Sequence, residues 1–120
     1  MDTETYDYTC FSELVYEFDH SDGKETELKI KQLLSEEKLG PYVQERIDYI
    51  RQLKNDLQKE FYKDTKSRFY LNCLSGYASV DDFDLSAMGK FFSKKYHKVE
   101  KPDLTRMVNT SVYQFYMRVV

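Results

Sequence analysis

At 120 residues, with 41% hydrophobic, 16% aromatic and 32% charged side chains, the chain is too rich in large apolar groups for a disordered segment and too short for two independent cores. Its net charge is −3, and its four glycines and two prolines leave few sites for tight turns, which argues against a many-stranded sandwich or barrel. No apolar run approaches the ~18 residues of a membrane span, so a single domain over residues 1–120 is expected.

Residues 1–8 are polar, with two tyrosines and no clear period, and are expected to form a frayed tail or a short arm. From Thr9 the spacing of Phe11, Leu14, Val15 and Phe18 predicts a first helix, closed by Ser21-Asp22-Gly23. Thr26 is the expected N-cap of a second helix carrying Leu28, Ile30, Leu33 and Leu34, which runs to Leu39 and stops at Gly40-Pro41. Pro41 suits the first turn of a third helix whose stripe is Val43, Ile47, Ile50, Leu57 and Phe61. With no breaker before Gly76, that helix is expected to continue to Cys73 as a rod of roughly thirty residues, ~45 Å long.

Residues 75–83 read as a loop, after which Asp84 caps a fourth helix with Leu85, Met88, Phe92 and Tyr96 inward and Lys90, Lys94, Lys95 and Lys98 outward. Lys101-Pro102 breaks it, and Asp103 serves as cap or first-turn acid of a last helix carrying Leu104, Val108, Phe115 and Val119. The expected fold is all-α, a small bundle of about five helices with one long central helix. The alternative is α+β, because Phe69–Leu74 and Val112–Val120 are aromatic and β-branched enough for strands.

Charge is unevenly placed along the chain. Residues 1–29 hold nine acids against two bases, residues 30–84 ten against nine, and residues 85–120 two against seven. The bland account is that the two ends neutralise each other, each exposed pair contributing at most a few tenths of a kcal/mol. The functional account is that each end meets its own partner through steered association. For the acidic end the candidate contacts are Tyr6, Asp7, Tyr8, Glu13 and Glu17, since carboxylates among aromatic rings imitate phosphates and bases to a basic groove. For the basic end they are Lys90, Lys94, Lys95, Lys98, Lys101 and Arg106, facing nucleic acid or an acidic protein.

Eleven tyrosines without a tryptophan exceed what a core of this size can bury, and tyrosine is a frequent interface anchor. Cys10, Cys73, His20 and His97 are scattered without a metal-ligand spacing, so no metal is expected. The run Asp81-Asp82-Phe83-Asp84 reads as a helix start, because a calcium loop from Asp82 would place Ala87 and Ser93 where glycine and glutamate are needed. The four glycines stand alone, which excludes a phosphate-cradling loop, and no cofactor is expected. Cys73 with His97, or Ser75 with His97, can be imagined as a nucleophile and its base, but so can any distant pair in a chain this size, and a cysteine at the end of an apolar face is usually core.

Residues 84–117 resemble a helix-turn-helix in outline, with Arg106, Asn109, Thr110 and Gln114 on a conceivable reading face. The Lys98–Pro102 turn is longer than usual and lacks glycine. The resulting expectation is a non-enzymatic, cytoplasmic protein-binding module: a small inhibitor or accessory protein, of the kind phages and mobile elements encode, docking on a larger nucleic-acid-handling protein. A DNA- or RNA-binding regulator using residues 84–118 and a self-associating structural protein using the 41–73 rod are the alternatives.

Overall fold

The computed structural model describes residues 4–17, 23–72 and 78–117. The protein is all-α, with five α-helices and no strand among those residues: α1 (Tyr6–Leu14), α2 (Lys24–Glu36), α3 (Gln44–Tyr62), α4 (Leu85–Lys95) and α5 (Lys101–Ser111). Two short 3-10 turns, Asp64–Lys66 and Val80–Asp82, precede α4, and a π-helix, Val112–Met117, continues α5. No helix among the described residues is long and apolar enough to cross a membrane. The chain divides into two compact units, Met1–Lys54 and Asn55–Val120, with the boundary inside α3.

In the first unit α1 begins earlier than its apolar spacing suggests. Thr5, in extended conformation, accepts a hydrogen bond from the Tyr8 amide through its side chain, so residues 6–8 are the first turn of a helix. Tyr6, Cys10, Phe11 and Leu14 are buried along it, and α1 packs on α2, whose buried residues are Ile30 and Leu34. The N-cap of α2 is Gly23 at φ 76°, so Thr26 lies inside the helix and caps nothing. At its other end Lys38 turns left-handed, at φ 55°, and the Leu39 amide bonds back to the Leu34 carbonyl, closing the helix before Gly40-Pro41. Gly40 has a φ of 123°, a value that suits glycine, beside the Tyr6 ring.

The second unit corrects the expected rod. α3 spans 19 residues and ends at Tyr62, because Asp64 adopts φ 52° and opens a 3-10 turn. Side chains hold this stop: the Ser67 hydroxyl donates to Glu60 at 2.5 Å and accepts from the Phe69 amide at 3.1 Å, competing with any continued helical ladder. Beyond the turn the chain is extended only long enough for one isolated bridge, Tyr70 to Phe83, framed by Leu71 N–H to Asp82 C=O at 2.7 Å and Asp84 N–H to Phe69 C=O at 2.8 Å. That bridge is what becomes of the strand expected at Phe69–Leu74; the other expected strand is the π-helix as far as Met117.

An aromatic cluster organises this unit. Phe83 is buried and meets Phe61, Tyr70 and Tyr116 edge-on, with centroids 4.9, 5.6 and 4.8 Å away. The π-helical turn brings Phe115 inward and aims the Tyr116 hydroxyl at the buried Asp82 carboxylate, 2.5 Å away. The same carboxylate accepts from the Ser79 amide, completing a capping box. Among the described tyrosines Tyr6 and Tyr96 are buried, Tyr70 and Tyr116 are half-buried against Phe83, and Tyr16, Tyr62 and Tyr113 are exposed. Phe18, His20, Ser21, Asp22, Cys73, Ser75, Arg118 and Val119 lie outside the described residues.

Candidate binding groove

α4 and α5 form a hairpin. The Asp84 side chain accepts from the Ala87 amide and starts α4, as the sequence predicts, and Met88 and Phe92 bury its inner face. α5 begins at Lys101, with Pro102 in its first turn where no amide partner is lost, and buries Leu104, Met107 and Val108. Pro102 therefore opens a helix here, and Asp103 is a buried first-turn acid.

Between the outer edges of these two helices lies an open, mainly apolar groove of about 890 Å³. Half-buried Leu85 and Gly89 line its interior over a floor of the buried Val99, Leu104 and Val108, while Lys90, Lys94, His97 and Lys101 stand exposed along its edges. Gly89 lies in the interior of α4, and a Cβ built there would meet nothing within 4 Å.

The basic candidates separate by what they touch. Lys95 is committed to the Asp56 carboxylate, 2.9 Å away, to which the Tyr96 hydroxyl also donates. Burial alone would raise the Asp56 pKa, but these two donors outweigh it and hold the carboxyl below its ordinary value. Lys98 and Arg106 also make interactions within the protein. Lys90, Lys94 and Lys101 line the groove, are exposed, and have no ion-pair partner among the described residues.

The acidic-aromatic candidates are spent largely inside the first unit. Tyr6 is buried, its hydroxyl donating to the Pro41 carbonyl at 2.7 Å and accepting from the Val43 amide at 2.9 Å. Asp7 is buried and accepts from Arg46 at 2.8 Å; Glu17 accepts a two-pronged bond from Arg51, at 2.7 and 3.1 Å. Tyr8, stacked on Phe11, and Glu13 are the half-exposed members of the set. Spacing could not reveal these pairings, because Arg46 and Arg51 come from a different helix.

The groove itself is what sequence reasoning missed. Its lysines were visible, but not which of them stay unpaired, and Gly89 carries no signal until the space beside it is seen. No group of three or more histidines, cysteines or carboxylates among the described residues is placed to hold a metal ion. Comparison with protein families, with curated proteins and with solved structures finds no match for this chain.

Proposed function

We propose that the chain is a non-enzymatic protein-binding module, an accessory or inhibitory protein that docks on a larger partner through the α4–α5 groove. The observation that carries this reading is the combination of an apolar interior with three exposed lysines that no described residue neutralises. Leu85 and the aliphatic stems of the lysines supply the apolar surface that a partner would bury, and the charged edge supplies orientation and encounter rate.

The second reading, nucleic-acid binding, draws on the same lysines and on exposed Asn109 of α5. Phosphate recognition has no use for the apolar interior, and the connection between α4 and α5, residues 96–100, exceeds the ~3–4-residue turn of a helix-turn-helix. The test is affinity capture from lysate of the producing cell, with and without nuclease, using the chain and its Gly89→Leu variant. A stoichiometric protein that survives nuclease and disappears with the variant is expected. Recovery only of nucleic acid, or of proteins lost on nuclease treatment, overturns the reading in favour of the second.

A further inference from the structure

The groove carries two features that describe its occupant. The first is Gly89. A glycine inside a helix costs about 0.5–1 kcal/mol relative to alanine, and the space around this one is open, so nothing in the chain's own packing calls for it. A bare stretch of backbone beside an apolar interior admits close approach by a body from outside the chain.

The second feature is charge. Lys90, Lys94 and Lys101 are exposed on the groove and unpaired among the described residues, and Glu100 is the one acid on its lining. α4 and α5 are each 11 residues long, so at 1.5 Å per residue the hairpin offers a channel about 16 Å in length, three helical turns.

Resting on the protein-docking reading above, we infer that the groove takes an acidic amphipathic helix of the partner protein. Apolar side chains at i, i+3 or i+4 and i+7 of that helix rest on Leu85, Gly89 and the aliphatic stems of the lysines, above a floor formed by the buried Leu104 and Val108, and its aspartates and glutamates flank Lys90, Lys94 and Lys101. Gly89 is the point where the two helices approach most closely. The opposite charge excludes basic helices and orients the acidic one during encounter.

The test is selection of the full chain against a displayed library of randomised helix-forming peptides about 18 residues long, five turns, followed by affinity measurement on one enriched synthetic peptide. Enriched sequences are expected to share helical apolar spacing and negative flanks. Affinity is expected to fall at least about tenfold in Gly89→Leu and in Lys94→Glu/Lys101→Glu, as for a central interface contact. The thermal midpoint of Gly89→Leu is measured alongside, and the lysine variant decides if that protein does not fold. Peptides that lack acids or helical spacing, yet are lost with the groove variants, overturn the acidic-helix inference and leave protein docking standing. No enrichment, or binding indifferent to every groove variant, overturns both.

Discussion

The Arg46 guanidinium lies 3.9 Å from the centroid of the Tyr6 ring while its Nε donates to the neighbouring Asp7 carboxylate at 2.8 Å. One arginine thus stacks on a buried ring and neutralises a buried charge on consecutive residues of α1, and the Tyr6 hydroxyl ties that helix to the segment before α3. Tyr6→Phe removes the partner of both the Pro41 carbonyl and the Val43 amide and is expected to cost about 1–2 kcal/mol. Urea denaturation should show a lower midpoint with unchanged slope. Arg46→Ala, which strands Asp7, should cost a similar amount, about 1–2 kcal/mol, since the arginine itself is half-exposed.

Cys10 is fully buried, and burial, with the nearby Asp7 carboxylate adding to it, pushes its thiol pKa up to about 12. A thiol reacts as its thiolate. In a Cys73→Ser background, the native protein should be inert to a disulfide reagent at neutral pH and react only as fast as it unfolds.

Asp56 gives the acid limb of stability a definite sign. Its folded pKa lies below the unfolded value, so its contribution is present above about pH 4 and is lost as pH falls through the folded pKa. Asp56→Asn should flatten the decline of stability below pH 4, and Tyr96→Phe, which removes one of the donors, should flatten it partially.

Tyr116 behaves in the opposite sense. Burial, and then the bond to Asp82, raise its pKa above the ordinary tyrosine value, so its contribution is present below about pH 10 and lost as pH rises through the folded value. Tyr116→Phe leaves the buried Asp82 carboxylate with fewer donors and should cost about 1–3 kcal/mol at neutral pH.

At Gly89 stability and function should separate. Gly89→Ala adds a methyl group to open space and improves helix propensity, so the protein should gain about 0.5–1 kcal/mol while losing affinity for its partner. A substitution that stabilises the fold and weakens binding is the signature of a residue kept for contact from outside.

Where local chemistry decides, the sequence was readable: Asp84 and the Leu85, Met88, Phe92, Tyr96 spacing marked α4, and Gly40-Pro41 falls between α2 and α3, although Pro41 stands ahead of α3, which starts at Gln44, and not in its first turn. The end of α3 was not, because no glycine or proline makes it. It comes from an aspartate in left-handed conformation and a serine reaching back to Glu60, and both depend on where the chain goes next. The π-helix was equally hidden, since Val112 and Phe115 face inward in either winding. Among the lysines, residue type marked the basic edge, but only tertiary structure shows that Lys95 is held by Asp56 while Lys94, its neighbour, is not.

The groove as a protein-docking surface is tested most directly by photo-crosslinking inside the producing cell. A benzophenone amino acid is placed at Ser93, which lines the groove, and in a second protein at Ser35, exposed on α2. A discrete protein adduct from Ser93 that Ser35 does not give, and that Lys94→Glu/Lys101→Glu abolishes, is the predicted result; an adduct with nucleic acid, or none at Ser93, contradicts it.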